Sequence, residues 1–159
     1  MATAWLSLGS NVKPEKNLRA ALSELRAMFG DILVSPAYRS QAVGFEGPPF
    51  INLAVGLTTD LDPIALNEAL HAIEDRHGRR RDVPRFSSRT LDIDIVLYDD
   101  LVLDGPGHLQ IPRDELRHAF VLRPLADIAG GVVHPLTGLT LSVMQARTLD
   151  SAELEIVKL

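Results

Sequence analysis

The sequence predicts an α+β domain whose strands form a mainly antiparallel sheet covered by helices. Three observations predict this fold class. The 159 residues are enough for one domain with a substantial core. Apolar residues make up 46% and charged residues 23%, which is the balance of a globular protein. Segments with helical and strand periodicity follow one another along the chain, separated by residues that favour turns.

Three strands and two helices are predicted in the first half of the chain. Pro14 suits the first turn of a helix and Gly30 its end, while Asp62 and Pro63 are typical of a second helix start. A loop rich in glycine and proline separates two of the strands. In chain order the prediction is a strand over 4–8 ended by Gly9-Ser10-Asn11, a helix over 14–29, a strand over 32–40, the loop 41–49, a strand over 50–57 and a helix from 62–63 up to 77–78.

The segment 90–98 is predicted to be a further strand because its residues alternate in polarity. One face carries Leu91, Ile93, Ile95 and Leu97, and the other carries Asp92, Asp94, Val96 and Tyr98. These elements follow the order β-α-β-β-α-β, which is the ferredoxin-like order. The last third is predicted to add an edge strand over 101–103, helical pieces over 113–118 and 120–129, a hairpin over 132–141 and a short final helix. No repeat or linker divides the chain, so residues 1–159 are predicted to form a single domain.

Composition excludes several classes of protein. The chain has no cysteine, so it has neither disulfides nor thiolate metal sites and suits a reducing compartment. The apolar run at the N-terminus lacks a basic flank and is too short for a signal peptide or a membrane span, so a cytoplasmic location is expected. The net charge of −5 argues against general binding to nucleic acids or anionic membranes.

Positive charge is concentrated in one short segment, 76–89. Six arginines and one acid give this segment a charge of +5. Because the net charge of the whole chain is −5, the other 145 residues together carry a charge of −10. The guanidinium group suits bidentate contact with phosphate oxygens and stays charged at every working pH. The segment is therefore predicted to be a loop that closes over a polyphosphate. The alternatives are a solvated basic loop and an RNA-binding patch, and the latter is weakened because Phe86 is the segment's one aromatic residue.

Asp92 and Asp94 follow directly after the arginine segment. Residues two apart on a strand point to the same face, about 7 Å apart, so the two carboxylates repel each other unless a cation lies between them. Mg²⁺ prefers one or two carboxylates, with water and phosphate oxygens as its other ligands. The pattern predicts an Mg²⁺-dependent enzyme that holds nucleotide phosphates between this strand and the arginine loop. Alone, an Asp-x-Asp pair is also typical of a half-exposed edge strand with solvated acids.

A second candidate site centres on Phe50 and Asn52, which share one strand face. An aromatic ring and an amide suit a flat heteroaromatic ligand with mixed donors and acceptors, and Phe120 could close its other side. The alternative is that the phenylalanines are core residues and that Asn52 satisfies the main chain. Glu74, near the end of the second predicted helix, could join the metal site or orient an arginine, or could simply face solvent.

Several stretches together resemble the 6-hydroxymethyl-7,8-dihydropterin pyrophosphokinase family. The matching stretches are Leu8-Gly9-Ser10-Asn11, Phe50-Ile51-Asn52, Ile73-Glu74 with Gly78-Arg79-Arg80-Arg81, and Arg89-Thr90-Leu91-Asp92-Ile93-Asp94. A weaker match continues through Ile111-Pro112 and Ala119-Phe120-Val121-Leu122 to Pro124-Leu125. The resemblance spans nearly the whole chain.

The resemblance implies a ferredoxin-like core with additional C-terminal helices and a hairpin. It implies two Mg²⁺ ions and ATP as co-substrate, with transfer of the β,γ-diphosphate to the hydroxymethyl group of 6-hydroxymethyl-7,8-dihydropterin and release of AMP, in folate biosynthesis. The implied partners are these small molecules, with no nucleic acid and no membrane. A monomer is expected, able to associate with other folate-pathway enzymes.

The resemblance also implies roles for individual residues. Asp92 and Asp94 would hold both metal ions, and Arg79 and Arg89 would stabilise charge on the triphosphate during transfer. The implied nucleotide site adds His71, Glu74, Arg81, Arg85, Thr90, Ile95, His108 and Arg113. The implied pterin site consists of Ser40, Val43, Gly44, Phe50, Asn52 and Phe120.

Three positions depart from the family pattern. Arg113 stands where the family usually has histidine, His118 where it has arginine, and Gly47 where it has glutamine. Arg113 keeps a cation but loses a group that titrates near neutral pH. Gly47 removes an amide and loosens its loop. Two alternative functions remain open: a pterin- or nucleotide-binding paralogue with weak or altered transferase activity, and a related phosphotransferase that acts on a different small alcohol.

Overall fold

An antiparallel sheet forms the centre of the fold. The computed structural model describes residues 1–41, 47–78, 90–150 and 153–159. In chain order the first elements are β1 (Ala2–Ser10), α1 (Pro14–Phe29), β2 (Leu33–Val34), β3 (Ala37–Ser40), β4 (Phe50–Thr59), α2 (Pro63–Arg76) and β5 (Asp92–Tyr98). Over the described residues, the sheet has the order β5-β1-β4-β3, and β2 pairs with β4 beside β3. With β2 and β3 taken as one interrupted strand, this confirms the predicted ferredoxin-like arrangement.

The last third of the chain adds helices and two small strand pairings. Its elements are β6 (Leu103–Asp104), β7 (Gln110–Ile111), a 3-10 helix (Asp114–Arg117), α3 (Ala119–Ala129), α4 (Leu141–Arg147) and β8 (Glu155–Val157). β6 pairs with β7, and β8 joins the central sheet at β3. β8 is absent from the sequence prediction because three residues, with Ile156 63% exposed, are too few to show a periodicity. Within the described ranges, no helix is both long and apolar enough to span a bilayer.

Each face of the sheet packs against its own pair of helices. Ala4, Leu6 and Leu8 of β1 belong to a core cluster shared with α1 and α2. Trp5, which points the other way, belongs to a second cluster with residues of α3 and α4. This division follows from the pleat of a strand, in which successive side chains point to opposite faces. Helices therefore cover both faces of the sheet.

The predicted helix starts are confirmed, and one strand boundary is corrected. Pro14 begins α1, and the side chain of Asp62 caps α2 by accepting a hydrogen bond from the N–H of Ala65 at 2.8 Å. The first strand does not end at Leu8, because Gly9 and Ser10 continue the pairing of β1 with β4. Gly9 is therefore a strand residue and not part of a turn.

The predicted strand 32–40 is interrupted at Ser35-Pro36. The N–H of Ser35 donates to the carbonyl of Ala54, and the Ser35 hydroxyl oxygen accepts from the N–H of Ala54 at 2.8 Å. Pro36 has no N–H to continue the ladder. A side chain thus substitutes for a main-chain group at this point, and the strand divides into β2 and β3.

A β-bulge in β5 overturns part of the predicted alternation. Ile95 lies opposite Leu6 and Leu97 lies opposite Trp5, so Val96 is an additional residue in the pairing. One additional residue shifts the side-chain alternation that follows it. Leu97 therefore packs with Val96 in the cluster under α3, and Tyr98 packs against the cluster under α1 and α2. The sequence prediction placed both Leu97 and Tyr98 on the wrong faces.

Candidate active site

Four residues form a row across the sheet on the face that α3 covers. In the strand register Asp92 lies opposite Gly9, Gly9 lies opposite Asn52, and Asn52 lies opposite Tyr38. Neighbouring strands are about 4.8 Å apart, so the main chains that carry Asp92 and Asn52 lie about 10 Å apart. The acidic site and the amide site predicted from the sequence are therefore neighbours on one surface, with a glycine between them.

Gly9 keeps the space between the two sites open. A Cβ atom at this position would lie 2.5 Å from Nδ2 of Asn52, which is closer than two such atoms can approach. The sequence predicted only a turn at Gly9, because its importance depends on its cross-strand neighbours and not on its own flanking residues. The glycine thus allows the Asn52 carboxamide to lie across β1.

Gly9→Ala is expected to impair binding at the amide site while leaving the fold intact. The atom that must move is the end of the Asn52 side chain, which can rotate away, so the change displaces a binding group rather than the core. Gly56→Ala is the matched control, because its Cβ would meet the Trp5 ring at 2.3 Å inside the core. Overpacking there is expected to cost about 1–3 kcal/mol.

Thermal unfolding and equilibrium binding of 6-hydroxymethyl-7,8-dihydropterin, the ligand that the sequence resemblance implies, distinguish the two glycine variants. Gly9→Ala should lower the affinity about tenfold with little change in Tm, in line with the loss of one hydrogen bond. Gly56→Ala should lower Tm with the affinity retained in the folded fraction. Equal loss of stability in both variants would contradict a binding role for Gly9.

The structure confirms that Asp92 and Asp94 share one face of β5. Both are half-buried, while Ile93 and Ile95 are buried on the opposite face. The Asp94 side chain is 32% exposed. Burial of the remainder, together with the negative charge of Asp92, raises the pKa of Asp94 to about 8. Burial and the neighbouring negative charge therefore disfavour the ionised form of Asp94, which a bound cation would favour.

Among the residues that the structure describes, Arg113 places a positive charge beside this pair. Its Nη1 lies 3.7 Å from Oδ1 of Asp94. Its Nε and Nη2 donate to the two carboxylate oxygens of Glu115 at 3.1 and 3.2 Å. Its attraction to Asp94 opposes the rise in the pKa of that carboxyl, and the charge of Glu115 adds to the rise. Glu115 was missed from the sequence because an acid in a short polar segment gives no signal of its partner.

Glu74 reaches the main chain of β5 between the two aspartates. It is 2% exposed, and its Oε2 accepts a hydrogen bond from the N–H of Ile93 at 2.7 Å. The alternative prediction of a solvent-facing acid is therefore wrong. His71 lies three residues earlier on α2, on the same side of that helix. Ile95 is 1% exposed in the core, so only its main chain is available to a nucleotide.

The two aspartates fit Mg²⁺ by their chemistry. Among residues 1–41, 47–78, 90–150 and 153–159, no group of three or more acidic, histidine or cysteine side chains is arranged to hold a metal ion. Mg²⁺ does not need such a group, since it is commonly held by one or two carboxylates, substrate phosphates and water. The two carboxylates on one face of β5 supply the attraction. The site is therefore suited to a metal that arrives together with phosphate.

The amide of Asn52 presents an unused acceptor. Asn52 is 6% exposed, and its Oδ1 has no hydrogen-bond partner among the described residues. Buried polar atoms are nearly always paired, so such an atom indicates a ligand that donates to it. Phe50 shares the same strand face two residues earlier, and Phe120 packs at the start of α3 on the same side of the sheet. The arrangement suits a flat ligand with an N–H edge.

His118 and Asp150 shape the start of α3, where Phe120 lies. The His118 ring stacks on Phe120 with ring centroids 5.1 Å apart and 10° between their planes. The Asp150 carboxylate accepts a hydrogen bond from the N–H of Ala119 at 2.7 Å and so satisfies the first turn of the helix. Asp150 was missed because this contact joins residues 31 apart in the chain.

The other predicted residues lie around these two sites or outside the described residues. Thr90, directly before β5, has a buried hydroxyl oxygen without a described partner, and its carbonyl accepts from the Ser10 hydroxyl at 2.6 Å. Ser40 is buried at the end of β3, and His108 is exposed in the turn between β6 and β7. Six of the predicted site residues lie outside the described residues: Arg79, Arg81, Arg85, Arg89, Val43 and Gly44.

A known protein family matches most of the chain. The family model described as 7,8-dihydro-6-hydroxymethylpterin-pyrophosphokinase (HPPK) matches residues 5–130. The chain belongs to this family. The resemblance found in the sequence is thereby confirmed, and the match to the HPPK family includes most of β1 and the whole of β4, β5 and α3. Residues 131–159, which include Asp150, lie beyond the match.

Individual HPPK relatives are similar over most of their length. The chain is 41% identical over 130 residues to the 2-amino-4-hydroxy-6-hydroxymethyldihydropteridine pyrophosphokinase of Pseudomonas aeruginosa, covering 79% of each protein. It is 39% identical over 142 residues to the enzyme of the same name from Synechocystis sp., covering 87% of this chain and 72% of the relative.

A solved structure supports the fold at lower identity. The crystal structure of wild-type Plasmodium falciparum HPPK-DHPS with pteroate aligns with a TM-score of 0.74 at 15% identity, covering 92% of this chain. The chain spans 42% of that protein's length. At this identity the similarity supports the HPPK fold and nothing beyond it.

Proposed function

We propose that the chain is an Mg²⁺-dependent diphosphotransferase that transfers the β,γ-diphosphate of ATP to the hydroxymethyl group of 6-hydroxymethyl-7,8-dihydropterin. The observation that carries the proposal is the row in which Gly9 separates Asp92 from the amide oxygen of Asn52, which has no hydrogen-bond partner in the part of the chain that the structure describes. A ligand held at Asn52 can extend its reacting end toward the acidic pair. The proposal places the enzyme in folate biosynthesis, with small molecules as its partners.

The amide end of the row would recognise the pterin. A pterin ring carries N–H donors along one edge, and Oδ1 of Asn52 is a buried acceptor that such a donor can satisfy. The flat ring can stack against Phe120 or lie with its edge against Phe50. The predicted pterin contacts at Ser40, Val43 and Gly44 complete the proposed site. A ring held in this way would direct its hydroxymethyl group toward Asp92 and Asp94.

The acidic end of the row would hold the triphosphate through metal ions. Asp92 and Asp94 are the proposed ligands of two Mg²⁺ ions, which when bound would neutralise phosphate charge and would make the attacking hydroxyl a better nucleophile. In the proposed reaction the hydroxymethyl oxygen forms a bond to the β-phosphorus and releases its proton to solvent, while the bond from that phosphorus to the oxygen shared with the α-phosphate breaks. AMP leaves with that oxygen. Positioning and charge neutralisation suffice for such a transfer.

Arginines would neutralise the remaining charge of the nucleotide. The proposal assigns this role to Arg79 and Arg89, with Arg81 and Arg85 closing over the phosphates. Arg113 adds a cation that already lies beside Asp94. The other proposed neighbours of the nucleotide are His71, Glu74, Thr90, Ile95 and His108.

The whole chain would act as one domain. β8 pairs with β3, and Asp150 contacts the start of α3, so the C-terminal segment is part of the sheet and of the proposed site. The proposal includes a monomer and, with a cysteine-free chain, a cytoplasmic location.

The nucleotide products test the proposed reaction. Incubation with ATP, Mg²⁺ and reduced hydroxymethylpterin should release one AMP for each pterin diphosphate formed. Release of ADP would indicate an ordinary kinase. Saturable pterin binding without AMP would indicate the binding paralogue, which is favoured by the occupation of Asp94 by Arg113 and of one Phe120 face by His118. Asp92→Asn is the control and should remove AMP formation while the protein remains folded.

A further inference from the structure

Arg113 is held between two carboxylates of different strength. Glu115 binds it through two hydrogen bonds of 3.1 and 3.2 Å. Asp94 approaches a third nitrogen at 3.7 Å, which is an ion pair without a good hydrogen bond. The guanidinium is therefore fixed by Glu115 and attracted more loosely to Asp94.

The main chain fixes Arg113 beside β5. Its N–H donates to the carbonyl of Val96 at 3.0 Å, at the bulge that follows Asp94. The Arg113 side chain is 21% exposed, so its charge is poorly screened by water. Because Nη1 makes only a loose contact with Asp94 while Nε and Nη2 stay bound to Glu115, a small rotation can exchange Asp94 for another anion.

A guanidinium at this position acts on any cation that approaches Asp94. It neutralises part of the carboxylate charge that a divalent cation needs, and it repels that cation directly. A phosphate group reverses the effect, since arginine pairs strongly with phosphate oxygens. A nucleotide would therefore draw Arg113 away from Asp94 at the moment when it delivers the metal.

We propose that Arg113 is a displaceable internal counter-ion of Asp94, which makes binding of divalent cations to the acidic pair conditional on a nucleoside triphosphate. Glu115 is the positioning residue that keeps the guanidinium close enough to exchange Asp94 for phosphate. This proposal rests on the proposed metal role of Asp92 and Asp94. It assigns Arg113 opposite effects on metal alone and on the metal–nucleotide complex.

Binding measurements on the full chain test these opposite effects. Mn²⁺ binding is followed by electron paramagnetic resonance, first alone and then with an ATP analogue whose α,β-bridge is a methylene group and cannot be broken. Arg113→Gln should bind Mn²⁺ alone about tenfold more tightly than the wild type, because a nearby positive charge is removed. The same variant should bind the Mn²⁺–analogue complex about tenfold more weakly, because a phosphate partner is lost.

Arg117→Gln is the matched control for the change in net charge. Arg117 is 68% exposed on the same 3-10 helix and pairs with the exposed Asp114 at 3.2 Å. Both affinities should match the wild type in this variant, since exposed charges are screened. Arg113→Met, which has similar length and no charge, replaces the glutamine variant if the latter is poorly folded, and the same two shifts are expected.

The possible failures have separate signatures. Unchanged or weaker binding of Mn²⁺ alone by Arg113→Gln and Arg113→Met overturns the counter-ion role of Arg113. In that case the Asp94→Asn variant shows whether the proposed metal pair still stands: it does if this variant no longer binds Mn²⁺. If Asp94→Asn binds Mn²⁺ like the wild type, the metal pair of the proposed function is wrong, and the counter-ion proposal fails with it.

Discussion

Asp94→Asn is expected to abolish diphosphate transfer while making the metal-free protein more stable near pH 8. The loss of activity follows from the loss of a metal ligand and should be about a hundredfold or more, as for other groups that stabilise transition-state charge. The gain in stability follows from the carboxyl's surroundings. Burial and the negative charge of Asp92 raise the pKa of Asp94 from an ordinary 3.8 to about 8.

The sign of the stability effect follows from proton binding. Between pH 3.8 and about 8 the unfolded chain has released the Asp94 proton while the folded protein retains it. Stability falls with rising pH wherever the folded state binds more protons, so Asp94 destabilises the metal-free protein progressively over this window. Asparagine carries no titrating proton and removes that contribution. The difference in stability between variant and wild type should therefore grow from pH 5 to pH 8.

Thermal unfolding with a chelator at pH 5 and pH 8 measures this difference. Asp94→Asn should raise Tm by a few degrees at pH 8 and by less at pH 5. Asp100→Asn is the control, because Asp100 is exposed in the turn just after β5 and makes the same change in charge. Near-full Mg²⁺-dependent activity in Asp94→Asn would contradict the metal assignment, and a lower Tm at pH 8 would contradict the electrostatic account.

Asn52→Leu is expected to weaken pterin binding about 10–100-fold without loss of stability. In this variant the N–H donor of the pterin is buried against leucine without an acceptor, which costs about 1–3 kcal/mol of binding free energy. Oδ1 of Asn52 has no partner among the described residues, so its removal breaks no protein hydrogen bond at that atom. Leucine has a similar volume and suits the buried position. Affinity for the nucleotide should stay unchanged.

Calorimetric titration with the reduced pterin and with the ATP analogue distinguishes the two ligand sites. Asn17→Leu is the matched control, since Asn17 lies on α1 across the sheet from the row. It should leave both affinities unchanged. If Asn52→Leu and Phe50→Ala both fail to fold, the two residues are structural, as in the alternative interpretation of this strand.

Much of the fold followed from local patterns. Pro14 and Asp62 predicted helix starts that the structure confirms, because helix ends are determined by residues within one turn. The β-α-β-β-α-β order was predicted in the same way. The errors occurred where one segment depends on another: the interruption at Ser35, the bulge at Val96 and the strand β8 all require a partner strand.

The candidate site also divides into features that local sequence predicts and features that depend on contacts between elements. Asp92 and Asp94 were predicted to face one way, and so were Phe50 and Asn52, because the pleat of a single strand fixes those directions. Gly9, Glu115 and Asp150 escaped prediction. Each acts on a residue that another element supplies, so no periodicity or spacing marks it.

The sequence by itself determined most of the elements, the acidic pair and the amide strand, because each is encoded within a few consecutive residues. It also determined the family, through short motifs spread along the chain. Only the tertiary structure decided that Asp92, Gly9 and Asn52 form one row and that Arg113 lies beside Asp94. These relations depend on strand register and on contacts between residues far apart in the chain. Such contacts are set by how the whole sheet packs, and no local segment specifies them.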